Sequence, residues 1–204
     1  MFKNTIITAV TTYLLISSSL CADSDYYGKI GVSYAGDKIV EGTDYKTRNY
    51  TFNKGVGAQI AVGYDLEIMS IEGEYTYSTA DMKSVELLDE SRSVDISGYQ
   101  DIHSLMVNAL YHPVMNEKFS PYIGFGLGFS SVLYESANID VEDSALTLTS
   151  QFMLGSSYKI LDDIELNIEL RHKMLQSYDI SGIGEVNSDN YNELFFALVY
   201  RFTP

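Results

Sequence analysis

From Ile164 the chain reads Ile-Glu-Leu-Asn-Ile-Glu-Leu-Arg-His-Lys, and this alternation restricts the fold more than any other feature of the sequence. Period two describes a β-strand with two unlike faces. One face holds Ile164, Leu166, Ile168 and Leu170; the other holds Glu165, Asn167, Glu169, Arg171 and Lys173. The rhythm returns at Tyr26–Gly36, Gly55–Asp65, Met69–Ser78, Ile102–His112, Tyr122–Tyr134, Leu146–Lys159 and Asn192–Phe202. In the last of these, Leu194, Phe196, Leu198, Tyr200 and Phe202 occupy alternate positions. A soluble sandwich does not line its core with four charges from one strand, whereas a membrane barrel sets its apolar face on lipid and its polar face on the lumen. The expected fold is all-β: an eight-stranded antiparallel transmembrane β-barrel wound as an up-and-down meander.

The connections support that topology. Residues 37–54, 79–101, 135–145 and 178–191 read as long loops rich in Ser, Asp, Asn and Tyr, while 65–68, 113–121 and 160–163 read as short turns carrying Pro113, Pro121, Asp162 and Asp163. Long connections alternate with short ones, as long external loops and short periplasmic turns do in outer-membrane barrels. An even strand number puts both termini in the periplasm. The chain has 17 Tyr and 9 Phe but 0 Trp. Tyr64, Tyr111, Tyr158, Tyr200 and Phe202 fall at the expected periplasmic rim and Tyr34, Tyr77 and Phe129 towards the external one, giving two interfacial girdles.

The N-terminus has the layout of a secretory signal: Lys3, an apolar run from Ile6 to Ile16, then Ser17 to Ala22. Residues 1–22 are expected to be removed by cleavage after Ala22, or after Cys21, leaving a barrel domain over 23–204. Leu20 directly before Cys21, with Ser18 where a leucine belongs, does not fit a lipoprotein signal. A mature chain without cysteine stabilises itself by sheet closure instead of disulfides. The formal charge of −15 becomes −16 when Lys3 leaves, which argues against nucleic acid as a partner and fits solvated loops.

The stretch Phe119-Ser120-Pro121-Tyr122-Ile123-Gly124-Phe125-Gly126-Leu127-Gly128-Phe129 resembles the turn-and-strand signature of the small outer-membrane protein β-barrel domain family, relatives of the OmpA, OmpX and opacity-protein barrels. The inward pair Glu169 and Arg171 around Leu170 is a second point of similarity. A third is the terminal Leu198-Val199-Tyr200-Arg201-Phe202, where Leu198, Tyr200 and Phe202 resemble the signal read by the barrel-assembly machinery. The chain departs from the family in placing Thr203 and Pro204 after the last aromatic. The resemblance implies residence in the outer membrane of a Gram-negative-type bacterium, among its lipids and lipopolysaccharide.

In so narrow a barrel side chains fill the lumen, and inward charges must pair with one another. Glu72, Glu74, Glu169, Arg171 and Lys173 are expected to form one network, with Lys29, Glu165 and Arg201 a second group nearer the periplasm. The glycines at 124, 126 and 128 are expected to make room for side chains from the opposite wall. A hydrolase site needs a nucleophile beside its base. His103, His112 and His172 are followed two residues on by Leu105, Val114 and Met174, so none has a serine on its own face. No His/Asp cluster has metal-ligand spacing, and no cofactor is expected. The function read from these features is a non-enzymatic barrel with a structural or surface-interaction role through its external loops. The alternative is a small porin-like channel.

Overall fold

The computed structural model describes residues 26–43, 48–87, 92–113, 118–136, 141–180 and 184–202; the expected signal peptide, its cleavage site and Thr203–Pro204 lie outside them. The strands in order are β1 (Tyr26–Ala35), β2 (Lys38–Thr43), β3 (Arg48–Phe52), β4 (Gly55–Leu66), β5 (Met69–Leu87), β6 (Arg92–Tyr111), β7 (Phe119–Ser136), β8 (Val141–Lys159), β9 (Ile164–Leu175), β10 (Tyr178–Ile180) and β11 (Gly184–Arg201). They pair antiparallel, and β1 joins β11 from Tyr27↔Arg201 to Ala35↔Glu193, closing an eight-stranded barrel. Closure pairs strand edges that would otherwise meet lipid unsatisfied.

The long connections are mostly strand. A membrane-spanning strand needs roughly 9–11 residues, yet β5, β6, β7, β8 and β11 have 19, 20, 18, 19 and 18. Within these connections residues 44–47, 88–91, 137–140 and 181–183 lie outside the described residues. In place of the loop expected over 37–54, β2 and β3 form a hairpin set into the wall. Low in the barrel the order is β11, β1, β4, β5; at the long-hairpin end it is β11, β2, β3, β5. The wall thus remains eight strands wide past the level where β1 and β4 stop.

The physical reason is an exchange of solvents at constant pleat. Through the middle of the barrel Ile30, Val62, Leu105, Phe129, Leu154 and Leu170 face outward, and the charged and amide side chains point inward among Met106, Met153, Phe195 and Val199. Towards the long-hairpin end the apolar set moves to the inward positions. Along β7, outward Phe125, Leu127 and Phe129 give way to inward Val132 and Tyr134, with Ser131 and Glu135 turned out. Val40, Tyr50, Phe52, Met82, Ile102, Val132, Tyr134, Leu175, Tyr178, Ile180, Val186 and Tyr191 form one buried cluster inside this extension. The upper barrel has the inside-out chemistry of a soluble protein and the lower barrel that of a membrane protein.

At the other end the turns are short. β4 and β5 are joined through Glu67 and Ile68, with Glu67 at a φ of 50°. Tyr64, Tyr111, Tyr158 and Tyr200 are exposed around this rim, joined by Tyr26, whose ring stands 4.8 Å from that of Tyr64. Such rings anchor a barrel at the lipid–water boundary.

Candidate functional site in the barrel lumen

The site is the lumen, and its polar residues come from the inward positions of β1, β4, β5, β6, β8, β9 and β11. Arg171 on β9 is fully buried at the centre. Its guanidinium donates to Glu74 Oε1 at 2.8 Å, to Gln59 Oε1 at 3.0 Å and, through Nε, to Glu169; it lies 4.3 Å from the centre of the Phe195 ring. Glu74 also accepts from Gln59 Nε2 at 2.7 Å, Asn108 Nδ2 at 3.0 Å and Gln151 Nε2 at 3.3 Å. Glu169 accepts from the Tyr122 hydroxyl, and Lys29 Nζ stands 3.9 Å away.

The remaining expected members have other partners. Glu72 pairs with Lys29 at 2.7 Å and accepts from the Tyr27 hydroxyl at 2.8 Å, so Lys29, which lines one small cavity with Glu165 and Arg201, also reaches the central layer. Lys173 turns to Glu193 at 3.2 Å and to Thr76 Oγ1 at 3.3 Å. Glu193 was not a candidate in the sequence; it lies on the polar face of β11, where Arg171↔Glu193 are partners across the β9–β11 ladder. Arg201 with Asp65 and Glu165 makes a separate, half-buried cluster at the short-turn end.

Glycines shape this layer, though not for the opposite wall. Asn108, Gly126 and Gln151 are register partners on β6, β7 and β8, and a side chain at Gly126 would strike Asn108 and Gln151 themselves. The space goes to immediate neighbours, whose amides then reach Glu74.

Above the charges lies a second polar group pinned to the apolar cluster. Lys38 on β2 contacts Asp189 on β11 at 2.8 Å and stands 4.5 Å from the centre of the Tyr191 ring. Asp189 also receives Gln100 Nε2 at 2.9 Å, and the Tyr134 and Tyr178 hydroxyls meet at 2.8 Å. The inserted hairpin is thereby tied to the β11 edge of its gap.

The histidines separate. His103 is exposed on the outer face, 2.8 Å from the Tyr75 hydroxyl, and His172 faces outward, 2.9 Å from Asn192 Oδ1. His112 is buried at the short-turn end between two serines, with Nε2 2.9 Å from Ser70 Oγ and Nδ1 3.1 Å from Ser120 Oγ. A search along single strands misses this, because the serines come from the adjoining ends of neighbouring strands. Burial holds the His112 imidazole below its ordinary pKa, against the pull of Asp65. Asp65 takes its hydrogen bond from Ser70 at 2.5 Å instead of orienting the imidazole, and Ser70 is 1% exposed. A nucleophile so placed has no access to substrate. Among the described residues no group of three or more His, Cys, Asp or Glu is placed to hold a metal ion.

The fold is shared with known barrels. The chain superposes on Neisserial surface protein A (NspA) with a TM-score of 0.61 at 16% identity, over 87% of this chain and 97% of that one. With OprG from Pseudomonas aeruginosa the TM-score is 0.58 at 15% identity, over 89% and 97% of the two chains. No curated protein matches the sequence. The family model described as the outer membrane protein beta-barrel domain matches residues 8–202. A match over nearly the whole length, on a closed barrel with an apolar belt and a polar lumen, makes this chain a member of the outer-membrane protein β-barrel domain family.

Proposed function

We propose that this protein is a non-conducting, non-enzymatic barrel that holds a surface for interaction clear of the outer membrane. The observation that carries the reading is the filling of the lumen at successive levels. Arg201 with Asp65 and Glu165 stands at one end, the Arg171 layer in the middle, the Lys38–Asp189 group above it and the twelve-residue apolar cluster beyond. Among the described residues two cavities with polar side chains in their lining are about 20 Å³ each, close to the roughly 10–15 Å³ that one water needs. A conducting pore requires a connected aqueous path, and an apolar core dense enough to exclude water opposes one.

The same cluster gives the hairpins a rigid base, and Asp81, Glu135, Asp179 and Glu185 keep the outer surface of the extension water-compatible. Outward turning of the long hairpins and periplasmic short turns follow from the usual loop asymmetry. Outer-membrane lipid and lipopolysaccharide are the surroundings of the apolar belt. Leu198, Tyr200 and Phe202, on the strand that closes the barrel, are the residues assigned to recognition by the assembly machinery.

Purified protein in planar bilayers tests the sealed lumen: no steady current is expected, and a large steady single-channel current would restore the porin-like alternative. A cysteine placed at Glu135 should react with a membrane-impermeant maleimide on intact cells, and one at Asp162 only after permeabilisation. The reverse pattern overturns the orientation.

A further inference from the structure

Where the wall changes from β1 and β4 to β2 and β3, the ladder is interrupted at Gly36–Asp37 and Asn53–Lys54, and one of the small cavities lies behind the break. Its inner lining includes Gln100, Tyr191 and Glu193, which are 1%, 5% and 1% exposed. Gln100 Oε1 and Glu193 Oε2 have no hydrogen-bond partner among the described residues, and the Tyr191 hydroxyl has Ser78 beside it. Gln100 cannot relieve this by turning over. Its Nε2 donates to the Tyr134 hydroxyl at 2.5 Å and to Asp189 Oδ2 at 2.9 Å, and a flipped amide would set oxygen against that carboxylate. Glu193 Oε2 stands 3.2 Å from Lys173 Nζ but outside hydrogen-bond geometry. Buried polar atoms left this way are costly, and native folds satisfy nearly all of them.

We propose that the cavity is a binding site for a single water molecule that donates to Gln100 Oε1 and Glu193 Oε2 and accepts from the Tyr191 hydroxyl. A volume of about 20 Å³ is enough for one water. Two acceptors and one hydroxyl give the water three bonds, the usual number for a buried one. Charge selects water over a monovalent cation. Lys38 and Lys173 already balance Asp189 and Glu193, so the cavity has no net negative charge to hold a cation. Gly36 and Asn53, exposed at the break, also line the cavity, which gives the water a route through the wall instead of along the lumen. The site explains why the hairpin can be inserted without a continuous ladder beneath it: the water links β6 to β11 behind the gap.

Water-edited solid-state NMR on labelled protein in phospholipid bilayers tests the assignment. Transfer from water to the Gln100 side-chain amide and the Tyr191 ring is expected in the unmutated protein. In Gln100→Met the transfer to the Tyr191 ring should be lost, with fast migration of unboiled protein confirming a closed barrel. If that variant does not close, Tyr191→Phe provides the reading: weakened transfer at Gln100 supports the site, and undiminished transfer overturns it. Absence of transfer at both residues in the unmutated protein also overturns it. Loss of the signal when sodium and potassium are replaced by N-methylglucamine would show a cation site in its place.

Discussion

Replacing Arg171 by Met removes the charge that the central layer is built around while keeping most of the side-chain volume. Arg171 is fully buried, so both of its carboxylate partners are left in a dry interior. Breaking a buried pair by taking one partner typically costs about 3–5 kcal/mol, because the other charge stays behind. The two carboxylates differ in what remains to them. Glu74 keeps three amide donors, from Gln59, Asn108 and Gln151, whereas Glu169 keeps the Tyr122 hydroxyl and Lys29 at 3.9 Å. Glu169 is therefore the more exposed to the loss. Adding Glu169→Gln to Arg171→Met should recover more stability than adding Glu74→Gln, with a coupling of about 1–3 kcal/mol for the former pair. With 0 Trp in the chain, urea titrations in lipid are best followed by far-UV circular dichroism and by migration of unboiled samples. Additive effects for both pairs, or an Arg171→Met variant within about 1 kcal/mol of the unmutated protein, would refute the reasoning.

The change of solvent along the outer face predicts that Leu170→Arg, mid-barrel, costs about 2–4 kcal/mol in bilayers, while Ile39→Arg on β2, a position 62% exposed, stays within about 0.5 kcal/mol; equal costs in urea titrations would move the membrane boundary. His112 has a folded pKa below its ordinary 6.5, so its contribution is complete above that value and is lost as pH falls below it towards the folded pKa. Stability measured between pH 7.5 and 5 should fall by at most about 1.4 kcal/mol per pH unit from this group, and His112→Gln should flatten that part of the curve. Glu67, at a φ of 50°, should be better served by Asn, which tolerates the left-handed region; Glu67→Asn is expected to raise stability by up to about 1 kcal/mol, and a loss would mean that the turn rearranges.

The eight wall strands were legible because the alternation and the short turns point the same way. The turns at 65–68 and 160–163 give β5 and β9 a common starting height, and counting from them brings Glu74 level with Arg171, where the 2.8 Å contact lies. The partner of Lys173 was less accessible. Glu193 lies on the adjacent strand one step down the ladder, and the relative height of β11 has no short turn to fix it.

The strand extensions were hidden for a different reason. Along β7 the outward apolar set runs to Phe129 and the expected strand to Tyr134, and the acids and serines from 135 on read as loop. The pleat does not change there; the medium outside does. Once lipid gives way to water, an unbroken strand must move its apolar residues to the other face, so the end of one alternation and the start of its complement mark the membrane boundary. Ser130 and Ser131 are that boundary on β7. Between Phe129, 58% exposed, and Val132, fully buried, the apolar residues change face within three positions. A barrel that switches in this way on several strands at once has two cores of opposite kind stacked on one axis, the lower one polar inside an apolar belt and the upper one apolar inside a polar surface.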